Sequence, residues 1–486
     1  MPRITIPLWE WQKDAVRNAL RRDGRYGLFM EMGTGKTRTG LAIAQGLLAK
    51  RIVLLVPLAA VEVWREEMHG GLDKAALWPQ ARLLFGTEDT LRERARMVRA
   101  VSKTLDDNPT FLFVNYESYW KEPLRTAILK HFDPDMIIAD EAHRLKHRSS
   151  KQSRFAHVLA AHVPYRVPLT GTPQTHGLED YYSILRFLDP DLLGGTWAEF
   201  AQRYIVMGGY KGKEIVDYIN TDELTERVHA GAFRYTKDEA FGPSNPIDIR
   251  IPVKLSKKTR AAYDEMEAQS LAEIDGVGAD GMPLSGTALA RIILTNVLRL
   301  QQITSGFAKV EETDENLYLG TEKLDVLADK LTDVLEGTSH VVVFAHFKPD
   351  IARIADVLRK KFPKATVGVL DGSVPKAKRP QIKAEWAAAE CGILVGQIAV
   401  TSLALDFTRA STVFFYSLDR SLEHYLQARS RIDRHGQLHT PTFYHLVAQK
   451  TVDEDIYASH ARREDLATTV LDRSRMRSLF THGQQP

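Results

Sequence analysis

The sequence predicts an α/β protein of two tandem parallel-sheet lobes. Apolar runs of four to six residues recur in both halves, separated by helical patterns. Such runs form parallel strands covered on both faces. A glycine-rich turn, Gly33-Thr-Gly-Lys-Thr37, follows the first run, and an arginine-bearing segment, Gln427 to Gln437, lies near the other end. A chain of 486 residues also exceeds one ordinary domain.

In the first half, strands are expected at Gly27–Met30, Arg51–Pro57, Thr110–Asn115, Met136–Asp140 and Tyr165–Thr170, with Thr37–Lys50 helical. From about 176 to 240 the pattern reads as a helical insertion. Phe241-Gly-Pro-Ser-Asn-Pro246 is dense in turn residues and reads as a linker. The first lobe is therefore expected at 1–245 and the second at 246–486. A second helical insertion is expected at about 256–304, around the turn-rich loop Asp275–Pro283. Strands follow at Val341–Phe344, Ala365–Leu370, Gly392–Val395, Thr412–Tyr416 and Thr442–Val447, and the tail after Asp455 reads as a charged helix.

Hydrophobic residues make up 44% and charged residues 26%, a globular composition. No apolar run approaches the roughly 18 residues that suggest a membrane span, and the N-terminal residues show no signal-peptide pattern. A single cysteine, Cys391, excludes a disulfide framework and a cysteine-based zinc module. A cytoplasmic location is expected. Net charge is only +3, from 65 basic and 62 acidic residues, so any nucleic-acid track must be local.

Met30-Glu-Met-Gly-Thr-Gly-Lys-Thr37 departs from the strict phosphate-loop pattern by methionine at position 30, but keeps Gly33, Thr34, Gly35, Lys36 and Thr37. Backbone N–H groups at the start of a helix hold phosphate oxygens. Lys36 is expected to reach the β- and γ-phosphates, and Thr37 to ligate Mg²⁺. Asp140-Glu-Ala-His143 ends an apolar strand. Asp140 is expected to hold Mg²⁺ and Glu141 to deprotonate the attacking water. Gln12 carries an amide suited to an adenine edge, with Trp9 or Trp11 beside it to stack on the base. Arg431 and Arg434, three apart, are expected to share one helix face and to neutralise charge developing at the γ-phosphate. ATP and Mg²⁺ are thus the expected cofactors.

Taken in order, these segments resemble the motifs of superfamily 2 helicases. Leu54-Leu-Val-Pro-Leu58, Leu169-Thr-Gly-Thr-Pro173 and Leu370-Asp-Gly372 fit the same series. Asp140 through Lys146, the block ending Phe187-Leu-Asp-Pro190, the Gly436-Gln437 ending and Thr451-Val-Asp-Glu-Asp-Ile456 resemble the Snf2 branch. The likeness runs from about residue 8 to 470. It implies two RecA-like lobes with Snf2-type helical insertions, nucleotide bound in the cleft between them, and ATP-driven translocation on double-stranded DNA. The segment Thr401-Ser-Leu-Ala-Leu-Asp-Phe407 departs from the family, with no glycine and Asp406 at its asparagine position. This variant resembles the fork-remodelling, annealing-helicase branch, in a compact form common in phage and bacteria.

The resemblance also implies site residues. Asp406 joins the ATP-binding set, and His143, Thr170, Thr172 and Gln427 couple the ATP site to DNA. The DNA track is expected to use Asn115, Tyr116, Arg144, Lys146, Arg148, His346, Lys348, Thr401 and Ser402. The run 144–154 holds five Lys/Arg residues. Contacts with duplex or branched DNA should be mostly to phosphates. The alternatives are a strand-separating helicase on DNA or RNA, and an ATP-gated regulator that binds DNA or a protein partner.

Overall fold

The computed structural model describes residues 8–58, 60–70, 76–87, 89–104, 107–174, 177–208, 214–243, 245–275, 286–309, 315–375, 378–401, 407–418, 421–434, 437–458 and 460. The chain divides into two compact units, the first running to Pro243 and the second from Ser244 to Arg462.

The first unit contains β1 (Gly27–Met30), β2 (Arg51–Val56), β3 (Arg82–Phe85), β4 (Thr110–Asn115), β5 (Met136–Asp140), β6 (Tyr165–Leu169), β7 (Ile205–Gly208), β8 (Glu214–Tyr218) and β9 (Ala232–Tyr235). Seven of these form one parallel sheet in the order β3-β4-β2-β5-β6-β1-β9. Every residue of β1 and β4 is buried, as a sheet covered by helices on both faces requires. Two apolar clusters flank it: Val53, Leu55, Leu112 and Val114 point to one, and Ile52, Leu54, Phe111 and Phe113 to the other. The alternation is the period-two geometry of a strand.

The second unit contains β10 (Ile247–Val253), β11 (Phe307–Lys309), β12 (Asn316–Tyr318), β13 (His340–Ala345), β14 (Thr366–Leu370), β15 (Gly392–Gln397), β16 (Thr412–Phe415) and β17 (Thr442–Ala448). Six form a second parallel sheet, β10-β17-β16-β13-β15-β14. Two helices, Lys257–Asp275 and Gly286–Thr304, precede β11, as the second insertion predicts.

One expectation needs correction, and three edge strands are additions. The 176–240 segment is not helical throughout. It contains the antiparallel hairpin β7–β8 and strand β9. The hairpin leaves Met207, Ile215 and Val216 exposed, so it lacks the buried apolar run that marks a sheet-core strand. β3 is an edge strand of only four residues, and β9 occupies the opposite edge. β10 is the third addition. It alternates Ile247, Ile249, Ile251 and Val253, and it tolerates Pro252 because it too is an edge strand.

Candidate nucleotide site

β1 delivers the chain into the glycine loop, and helix α2 (Lys36–Gly46) takes it out. Gly33 and Gly35 have φ of +88° and +84°, the left-handed region that favours glycine. Met30, where the strict pattern has glycine, is a fully buried residue of β1. Its carbonyl accepts a 2.9 Å hydrogen bond from Lys36 Nζ, and the Glu31 carbonyl a longer one at 3.3 Å. The ammonium is thus held across the loop. Thr34 is buried, and its hydroxyl donates to the Glu31 carbonyl at 2.7 Å, closing the turn from inside. Thr37 lies half-buried in the first turn of α2.

Gln12 sits on α1 (Glu10–Arg21) and is fully buried. Its Nε2 donates to the carbonyls of Thr34 (3.4 Å) and Gly35 (3.3 Å), while its Oε1 accepts from Trp9 N at 3.0 Å. Gln12 therefore shapes the phosphate loop. Trp11 Nε1 also donates to the Thr34 carbonyl, and its ring stacks on Tyr235 with centroids 5.4 Å apart. Arg38, on α2, lies over the Trp9 ring at 5.5 Å.

Asp140 ends β5. Trp64 Nε1 donates to its Oδ2 at 2.7 Å, and Glu141 N to its Oδ1 at 3.0 Å. Burial and the neighbouring Glu141 charge push the Asp140 carboxyl up to about 6. A divalent cation relieves such crowding, and a carboxylate with a threonine hydroxyl supplies hard oxygen ligands, so Asp140 and Thr37 fit Mg²⁺. Glu141 adopts a left-handed backbone, φ +53°. A non-glycine residue there stores strain, which recurs at functional sites.

The Glu141 carboxylate lies 3.3 Å from His143 Nδ1. The same nitrogen is 3.2 Å from Thr170 Oγ1, which accepts from Thr172 N at 3.1 Å. His143 and Thr170 are buried. Gly171 lies between them and the loop: a Cβ there would stand 3.5 Å from Lys36 Nζ and 3.4 Å from the Met30 carbonyl. His143 thus lies between Glu141 and Thr170, and Gly171 sets this segment beside Lys36.

In the second unit, the helix Leu422–Ser430 carries buried Gln427, whose Nε2 donates to Glu423 Oε1 at 3.2 Å. The helix stops before Arg431. Residues 431–434 form turns, so Arg431 and Arg434 do not share a helix face as expected. Other contacts fold this segment. Phe407 N donates to the Arg431 carbonyl at 3.1 Å. Gln437 Nε2 reaches the carbonyls of Ala410 (2.9 Å), Thr408 (3.2 Å) and Ile432 (3.3 Å). Gln437 thereby ties the arginine turn to the 408–410 turn that precedes β16.

A family model for the SNF2-related domain matches residues 11–304, and one for the helicase conserved C-terminal domain matches residues 322–436. The chain belongs to the SNF2-related family. It is an ATP-hydrolysing enzyme of helicase superfamily 2. It is 26% identical to "Chromodomain-helicase-DNA-binding protein 1-like" of Danio rerio, over 93% of this chain and 42% of that protein. It is 24% identical to "DNA annealing helicase and endonuclease ZRANB3" of Mus musculus, over 97% and 41% respectively. Identity is also 24% to "DNA repair and recombination protein RAD54-like" of Drosophila ananassae, over 91% and 59%. The chain therefore spans between 41% and 59% of the length of these relatives. The Sulfolobus solfataricus SWI2/SNF2 ATPase core in complex with dsDNA aligns over 98% of both chains, at 20% identity and a TM-score of 0.41.

In this SNF2-related chain the expected DNA-facing residues are not equally placed. Tyr116 is fully buried, and its hydroxyl donates to the Asp140 carbonyl at 2.6 Å. Asn115 is buried, donates Nδ2 to Glu117 Oε2 at 2.8 Å, and accepts from Ser118. Tyr116 supports the end of β5 from inside the lobe and Asn115 ties the turn after β4, which corrects their assignment to a DNA surface. Arg144 pairs with Glu117 at 3.0 Å, Lys146 is half-buried, and exposed Arg148 lies over the Trp197 ring at 4.3 Å. In the second unit Gln397 bridges two turns: its Nε2 donates to the His346 carbonyl at 3.3 Å, and its Oε1 accepts from Gly372 N at 3.2 Å. Lys348 is exposed beside Gly372. Thr401 closes the short helix Ile398–Thr401. Ser402 and Asp406 lie outside the described residues.

Sequence reading missed Trp64, Gly171, Gln397 and the tie made by Gln437. Gln437 and Gly171 stand inside quoted motifs. Trp64 and Gln397 carry no motif signal, because their partners are distant in the chain.

Proposed function

We propose that this enzyme is an ATP-dependent double-stranded DNA translocase of the Snf2 type, which remodels branched DNA or displaces bound protein. The observation that carries this reading is buried His143 set between Thr170 and the Glu141 carboxylate, with Gly171 placing that segment beside Lys36, in a chain of this family. It sets the proposed base and a buried histidine close to the phosphate loop. Three relatives whose names denote action on DNA, matched over nine-tenths of the chain, support the substrate class.

Bound MgATP supplies the phosphoryl group transferred to water. Lys36 exchanges its loop carbonyls for phosphate oxygens, and Thr37 and Asp140 would hold Mg²⁺, which would offset the phosphate charge. Glu141 takes a proton from the attacking water at its carboxylate, and His143 fixes the orientation of that carboxylate. Arg431 and Arg434 supply positive charge as the phosphoryl group transfers, an effect worth about 10³–10⁵ in rate. Arg144, Lys146, Arg148, His346, Lys348, Thr401 and Ser402 are the proposed DNA contacts. Phosphate binding by Arg144 replaces its pairing with Glu117. Affinity then falls with salt and depends little on sequence.

The test is the ATPase rate with no nucleic acid, duplex DNA, single-stranded DNA and RNA. Strong stimulation by duplex is expected. Stimulation by single strands or RNA alone would instead identify a strand-separating helicase. No stimulation by any nucleic acid would favour an ATP-gated regulator.

A further inference from the structure

The chain leaves the first unit just after Phe241 and enters β10 at Ile247. Both flanks of this crossing are attached to the ATP machinery, each within its own unit.

On the first flank, β9 and the helix Lys237–Phe241 press on the phosphate loop in two ways. Glu31 N donates to the Tyr235 carbonyl at 2.9 Å, and Lys237 N donates to Glu31 Oε2 at 2.9 Å. The Phe241 ring also packs edge-on against Trp9 and Trp11, with centroids at 5.5 and 5.6 Å. Trp11 in turn stacks on Tyr235 and hydrogen-bonds Thr34 of the loop. On the second flank, Asp248 of β10 takes both terminal nitrogens of Arg429, Nη2 at 2.9 Å and Nη1 by a shorter contact. The Arg429 guanidinium lies over the Phe443 ring at 4.2 Å and donates to the Tyr425 hydroxyl at 2.8 Å. Its carbonyl accepts from Ile432 N (3.1 Å) and Asp433 N (3.0 Å), which folds the turn carrying Arg431 and Arg434.

We propose that Phe241 and Asp248 are positioning residues for ATP hydrolysis. Phe241 holds the phosphate loop through Trp9 and Trp11, and Asp248 holds the arginine turn through Arg429. A bidentate arginine–carboxylate pair fixes orientation as well as distance, which suits the second task. An edge-to-face aromatic group fixes the angle of α1 against the loop, which suits the first. The Asp248 half rests on the reading of Arg431 and Arg434 as charge-neutralising residues; the Phe241 half does not.

The two halves differ in kinetic signature. Phe241→Ala should raise the KM for ATP about fivefold with kcat within about twofold, and Phe241→Tyr should restore KM. It should also change the shift in tryptophan emission that ATP produces. Asp248→Asn should lower kcat about tenfold with KM within about twofold, and Asp248→Glu should recover part of the loss. If Phe241→Ala does not fold, Phe241→Leu carries the same test. Folded variants whose kcat and KM both stay within about twofold of wild type overturn the proposal, as does the reverse split. If Arg431→Ala leaves the rate intact, the reading of the arginines fails on its own, and the Phe241 result still decides its half.

Discussion

In the first lobe, Gln12 on α1 hydrogen-bonds the phosphate loop, and Trp64 and Thr170 hold the Asp140–His143 segment by their side chains. The arginine turn of the second lobe is folded by backbone hydrogen bonds, by the Gln437 amide and, one residue before the helix end, by the Arg429–Asp248 pair. The difference matches the roles proposed for the two segments. A triphosphate cradle must present several donors at fixed spacing before ligand arrives, so its residues are locked by one another. Charge-neutralising arginines need reach, which a turn beyond a helix end allows.

This comparison can be broken at each level. The largest effects belong to the first lobe. Lys36→Ala should abolish tight ATP binding, and Glu141→Gln should keep binding while turnover falls by about 10³ or more. Retained turnover in Glu141→Gln would remove Glu141 from the role of base. Arg431→Ala or Arg434→Ala should leave nucleotide affinity within a few-fold and cut the rate by about 10³. A loss below tenfold in single-turnover measurements would count against these arginines. Gln437→Ala should act more weakly, lowering kcat about tenfold with ATP affinity unchanged, because only the turn loosens; an unchanged kcat would show that backbone bonds suffice.

The smallest effect is on stability. The Asp140 carboxyl is raised to about 6 in the fold, against an ordinary value of 3.8. The folded state then holds the proton more tightly than the unfolded chain, so stability declines as pH rises through that window. Without nucleotide, Asp140→Asn should melt above wild type at pH 7.5, and the gap should close as pH falls toward 5. A constant gap would assign the effect to packing. Added Mg²⁺ should narrow it in wild type.

Legibility followed chain locality. The strands of both sheet cores were readable because each is a continuous apolar run. β3, β9 and β10 were not, because edge strands are short or only half-buried. Lys36, Asp140, Glu141, His143 and Thr170 were legible as types in sequence order. The roles of Trp64 and Gln397 depend on partners 76 and 51 residues away. Tyr116 misled for the opposite reason: it follows a strand end where contact residues are common, yet the Asp140 carbonyl claims its hydroxyl. The arginine spacing suggested a helix face, but the helix ends at Ser430.

The central claim is that ATP turnover moves this protein along intact duplex. Displacement of a third strand from a triplex reads that movement directly, with Glu141→Gln as the control. The account predicts ATP-dependent release by wild type, none by Glu141→Gln, and no separation of the underlying duplex. Robust duplex-stimulated ATP hydrolysis with no third-strand release, or with the duplex strands separated, would contradict it.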